Sequence, residues 1–413
     1  MNCQGAKRTS PRSRSAALCG AVLCGALLAV VGPARAEEEG STGAEMRTEI
    51  AGYADLARKA ADESKWPLAD HFLGLLAAVD APAKEKKAAF RALAEDYEKK
   101  HLLSRAIAIY GKMTELYPDD SDTPELIFHV GLLYRESGVP KLAIARFYTV
   151  LNSSLKFGMQ DLAGYRALAQ RAQWEIAETL FLTGDFVKAQ KYYELLSRLD
   201  LPAAEQARVQ FKMTHCLFIT DNVAGAIASA KSFLGKFPDD ASAAECRYLL
   251  ASAYRTQRRS PEAFDTVLAL LRAETARKEK EPEKWIYWKK KAGNEFANSY
   301  YQQGDTVSAL TIYQAIARLS DEPEWQWPVL YQMGLCFERL RHGDRAADTY
   351  KYLMDEAKKP GREADKLPEI LRTILEMAHW RSRQLAWSNT AAVSLQKLLS
   401  NPLAAVPPEA IKP

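Results

Sequence analysis

The 413-residue sequence is 47% hydrophobic and carries a formal charge of +4, with 56 Lys and Arg against 52 Asp and Glu. The excess of base sits at the N-terminus: residues 1–36 hold five Lys or Arg and no acid, which leaves 51 bases against 52 acids and a charge near −1. A near-neutral chain of this kind has no electrostatic footprint for nucleic acid.

Residues 1–36 read as a signal peptide. Lys7, Arg8, Arg12 and Arg14 form a positive start, Ala16–Val31 is an apolar run, and Ala34-Arg35-Ala36 is a small-x-small cleavage site. The run is shorter than the roughly 20 residues of a membrane span. Cys19 and Cys24 lie in it, which leaves a lipoprotein signal as a minor alternative. Three cysteines remain beyond it, Cys216, Cys246 and Cys336. Each sits among apolar neighbours in an expected helix, so buried thiols are expected rather than a disulfide framework. Residues 37–49 are acidic and Gly-containing and read as a flexible lead-in. Residues 401–413 hold four prolines and read as a disordered tail.

Between them, the stretch 103–151 shows the pattern that organises the chain. Two helices are joined by the turn Pro118-Asp119-Asp120, and Gly138 opens a third. Ala106 and Tyr110 recur as Ala143 and Phe147. Aligned in this way, units begin near 50, 87, 124, 170, 207, 244, 290 and 327. Their eighth residue is small: Ala57, Ala94, Gly131, Ala177, Thr214, Ala251, Ala297 and Gly334. Their twentieth is Ala69, Ala106, Ala143, Ala189, Ala226, Ala263, Ala309 and Ala346. Closely crossed helices leave room only for a methyl at such slots. Thr123-Pro124 and the capping-box form Ser242-x-x-Glu245 predict helix starts. A degenerate ninth pair is expected at 368–384 and 388–400. The spacings predict a super-repeat of three helix pairs every 120 residues, each triplet closed by a longer second helix or loop.

This pattern resembles the tetratricopeptide repeat (TPR). The resemblance implies an all-α fold, a right-handed α-solenoid of about eight to nine TPR-like helix pairs over residues 50–400. The units look like those of bacterial envelope proteins, namely the outer-membrane assembly lipoprotein and the Tol–Pal coordinator. It therefore implies a periplasmic, non-catalytic scaffold with a protein or peptide partner in the envelope and no cofactor. No zinc-protease, nucleophile-elbow, Walker or dinucleotide signature is present, and the six His lack metal spacing.

In this family the first helices line a groove. Carried over, the groove positions hold Phe128, Trp174, Phe181, Phe211, His215, Phe218 and Tyr248, flanked by Arg135, Arg171, Arg208 and Arg255. Tyr301 and Tyr331 extend the same positions. Aromatic and Arg side chains suit the gripping of a peptide, although individual members are equally explained as core. An accessory subunit that binds polysaccharide or positions an envelope enzyme is the alternative. Two further candidates are a polar clamp at Lys291, Asn294 and Asn298, and the basic-aromatic run Lys284–Lys291. The run is a lipid or polyanion contact, or simply a long helix lead-in with buried aromatics.

Overall fold

The computed structural model describes residues 34–157, 162–273, 281–359 and 367–400. Among these residues every regular element is a helix, α1 to α17. The targeting segment and the tail lie outside the described residues, save 34–36.

The eight expected pairs are present. First helices are α1 (Ala34–Asp62), α3 (Ala83–Lys99), α5 (Thr123–Glu136), α7 (Leu162–Leu182), α9 (Ala203–Ile219), α11 (Ala243–Thr256), α13 (Pro282–Gln303) and α15 (Pro323–Arg339). Second helices are α2 (Trp66–Ala78), α4 (Leu103–Leu116), α6 (Pro140–Phe157), α8 (Phe186–Leu196), α10 (Val223–Lys236), α12 (Ser260–Arg272), α14 (Thr306–Ile316) and α16 (Gly343–Glu356). Every small-residue slot is buried, and large residues four positions beyond the alanines (Tyr110, Phe147, Tyr193, Tyr313, Tyr350) are buried with them. The mechanism is explicit at Gly131 and Gly334, where an added Cβ would run into the rings of Phe147 and Tyr350.

The chain divides into two compact units, one through Met113 and one from Thr114. In the first, α1 packs on α2 and α3, and Tyr97 donates to the Ala57 carbonyl at 3.4 Å. In the second, α5 to α17 pack in chain order, each on the next. Its core is a series of clusters. One runs from Phe128 to Cys216, a second from Ala207 to Cys336, and a third joins Trp327 and Tyr350 to α17 (Glu369–Ser400).

The 120-residue period is built into the backbone. Helices begin at 66, 186 and 306, at 83, 203 and 323, at 103, 223 and 343, at 123 and 243, and at 140 and 260. Left-handed residues end first helices at Ser64, Gly184 and Gly304, at His101, Asp221 and Arg341, and at Gly138 and Arg258. This is the helix C-terminal position that glycine favours, because other L residues are strained there. Arg341→Gly is therefore expected to stabilise the chain by about 1 kcal/mol, read as a higher urea midpoint. Unchanged or lower stability would contradict this account of the turn.

Three expectations need correction. Residues 37–49 lie within α1 rather than in an irregular lead-in. The ninth pair is one continuous helix, α17, because 384–388 contains no Gly, Pro or other breaker. As for the longer second helix or loop expected to close each triplet, α6 has 18 residues and α12 has 13, the first helices α7 and α13 that follow reach 21 and 22, and residues 158–161 and 274–280 lie outside the described residues. At Ser242 no capping box forms, and the side chain makes no cap hydrogen bond. Instead Asp240 accepts from the Ser242 amide at 2.8 Å, as Asp120 does from Asp122 at 3.0 Å. The turn carboxylates thus close helix-entry turns.

Candidate functional site

The first helices α5, α7 and α9 present a cleft of about 480 Å³ lined by Phe128, Leu132, Gln170, Arg171, Trp174, Glu175, Ala204, Glu205 and Arg208. Four residues expected from the sequence meet here. They interlock because residues one helix pair apart stack on the same face. The Arg171 guanidinium lies 4.4 Å from the centre of the Phe128 ring and donates to Glu125 at 2.8 Å. Arg208 lies 5.0 Å from the Trp174 ring and pairs with Glu178 at 2.9 Å. Buried Glu178 also accepts from the Tyr193 hydroxyl at 2.9 Å. Arg135 pairs with Glu175, a wall residue.

These carboxylates are not among the residues the sequence pointed to, because acidic residues read there as helix starts and solvent faces. All three guanidiniums are paired with carboxylates, and those of Arg171 and Arg208 also lie over rings, so the cleft is nearly neutral and preshaped rather than an anion trap. Phe128 is itself core, its ring 5.5 Å from Phe147, and Arg171 seals it from above. Trp174 keeps part of its surface exposed.

The expected aromatic column is not continuous. A second group sits around His215, whose ring centre lies 5.1 Å from Phe181 and 6.4 Å from buried Phe211. Lys212 lies 3.8 Å over the Phe181 ring. Phe218 is half-buried against the neighbouring cluster. A third group joins Tyr248, which donates to Glu295 at 2.8 Å, and Arg255, which pairs with the same carboxylate at 2.5 Å. The Arg135–Glu175 pair has this Arg255–Glu295 pair as its counterpart 120 residues on.

His215 carries a buried Nδ1 with no hydrogen-bond partner. Burial first, and nearby Lys212 second, hold its pKa below the ordinary 6.5. The unfolded chain then takes up the proton before the folded one does. Stability is full above pH 6.5 and declines as pH falls from there toward the folded-state value. Denaturant titrations at several pH values should show this decline in the wild type and a smaller one in His215→Gln. Parallel curves would contradict it.

The other candidates resolve differently. Asn298 accepts from the Tyr313 hydroxyl and donates to Asn294 at 3.3 Å, so the three-residue polar clamp does not stand free. In the run Lys284–Lys291, Trp285 is buried, and buried Lys289 donates to the Ala273 carbonyl at 2.7 Å. Tyr287 is exposed, and Lys291 lies 4.8 Å from the Trp288 ring. Cys216, Cys246 and Cys336 are free and buried, and burial pushes the first two thiols up to about 12 and the third to about 11. Among the described residues no cluster of His, Cys, Asp or Glu is arranged to hold a metal, and no helix is long and apolar enough to cross a membrane.

No protein-family model and no curated protein matches the chain. Among solved structures, it is similar to a tetratricopeptide repeat protein from Parabacteroides merdae, at 14% identity over 70% of this chain and 97% of that one, with a TM-score of 0.37. It is also similar to the TPR domain of P58(IPK), at 21% identity over 64% and 70%, with a TM-score of 0.27. A third likeness is to YrrB, described as a TPR protein with an unusual peptide-binding site, at 18% identity over 43% and 81%, with a TM-score of 0.33. The described helices form an all-α array of helix pairs, and the solved structures it resembles are TPR proteins.

Proposed function

We propose that the chain is a non-catalytic scaffold of the bacterial cell envelope, exported to the periplasm, that holds a protein or peptide partner in the α5–α7–α9 cleft. The observation that carries this reading is the cleft itself. Half-buried Trp174 stands in it with the Arg208 guanidinium 5.0 Å from its ring, and Arg208 and Arg171 are each held by a carboxylate, so less side-chain entropy remains to be lost on binding. Export and periplasmic residence rest on the leader-like residues 1–36.

A second reading has its own support. Gln170, Glu175 and Glu205 line the cleft beside Trp174, and an aromatic face next to planar polar groups also suits a sugar ring. The two readings separate in one experiment. Wild type and Trp174→Ala are used to capture partners from an envelope extract, and each is titrated with envelope oligosaccharides. A protein retained by the wild type and lost by the variant supports the scaffold. Saturable oligosaccharide binding lost by the variant, without protein capture, supports the second reading. Identical capture and binding by both forms contradicts a role for the cleft. Fractionation finding the chain outside the envelope contradicts the localisation.

A further inference from the structure

The terminal helix α17 carries a surface that the rest of the chain leaves open. Its inner face packs on α15 and α16 through Leu371, Ile374 and Ala378, and Arg381 reaches Glu338 at 3.0 Å. Past Leu385 that packing ends. Every described residue from Ala386 to Leu399 is exposed. This is about four turns of helix whose described apolar side chains stay exposed, although helices in proteins owe most of their stability to packing of an apolar face.

The segment has such a face. Met377, Trp380, Gln384, Trp387 and Ala391 follow at spacings of three, four, three and four, the a/d pattern of a coiled-coil seam. Leu395 continues the stripe. Trp380 is 53% exposed, Trp387 72% and Leu399 76%. With Ile370, Met377 and Leu395, the open apolar surface is on the order of 700 Å², taking roughly 200 Å² for each large side chain. That approaches the roughly 800 Å² per partner of a standard interface and exceeds what monomers usually leave open.

We infer that α17 is a self-association helix, through which two copies of this chain pair along the Trp380–Trp387 stripe. Two features favour a second copy over a lipid surface. No charged residue lies between Arg383 and Lys397, whereas an interfacial helix needs Lys or Arg on its polar face. Gln384 sits in the middle of the seam, where a polar residue meets its own copy and fixes register at some cost in stability.

Sedimentation equilibrium of the full chain tests this. The wild type should show a monomer–dimer equilibrium with a Kd on the order of 1 μM. The double variant Trp387→Glu, Leu395→Glu should weaken it by about 100-fold, with an unchanged circular dichroism spectrum. Asn389→Glu, a charge placed off the stripe, should leave it intact. A wild type that stays monomeric, a dimer unaffected by the double variant, or equal loss in the Asn389 variant overturns the proposal. So does a monomeric wild type that co-sediments with anionic phospholipid vesicles.

Discussion

Replacing Trp327 by Ala should cost about 3–5 kcal/mol, the range for deleting a large aromatic from a packed core. Trp327 has no exposed surface, and it anchors the cluster in which Tyr350, Leu353, Leu371 and Ile374 join α15, α16 and α17. Repeat arrays gain stability from nearest neighbours, so the loss should stay local. Amide exchange in α15–α17 is expected to quicken by several orders of magnitude, while α5–α8 exchanges as before. A uniform change along the chain would show that the clusters are one cooperative core. A change under about 1 kcal/mol would show that the site collapses around the gap.

Gly131→Ala should be costly for the opposite reason. A Cβ at Gly131 would stand 2.5 Å from Cε1 of Phe147, inside any normal contact. Phe147 cannot retreat easily, since it is fully buried between Phe128 and the small residues around it. Overpacking of this kind costs about 1–3 kcal/mol. Phe147→Leu alone should also destabilise, but the double variant should be more stable than the sum of the two singles requires. Urea titration of the four proteins measures the coupling. Additive behaviour would mean that the glycine is retained for something other than close helix crossing.

The repeat was legible because close packing restricts residue size. Ala69, Ala106 and Ala143 stand where a methyl fits, and the alanines alone place eight helix pairs. The 120-residue period was legible from unit spacing. Its deeper record in the backbone was not, because the left-handed turn positions are filled by Ser64, His101, Asp221, Arg258 and Arg341 as well as by glycines. Chain ends misled the reading. Polar, Gly-containing residues 37–49 suggested a loop, and a repeat expectation imposed a break on 384–388 that no residue there enforces.

At the site, the alignment named Phe128, Arg171, Trp174 and Arg208, and the fold brings them to one cleft. Their ion-pair partners were invisible, since Glu125 and Arg171 are 46 residues apart and Glu178 and Arg208 are 30 apart. Such contacts follow from how successive first helices stack, not from any local pattern. The same geometry separates Tyr248 and Arg255 from the cleft and commits both to Glu295.

The central claim is that the α5–α7–α9 cleft receives the partner. Its most direct test is equilibrium titration of the captured partner against wild type, Trp174→Ala and Tyr287→Ala. Tyr287 is an exposed aromatic outside the cleft. Trp174→Ala should bind at least about 30-fold more weakly, a loss of about 2 kcal/mol or more, with Tyr287→Ala close to wild type. Equal affinity for wild type and Trp174→Ala would contradict the claim.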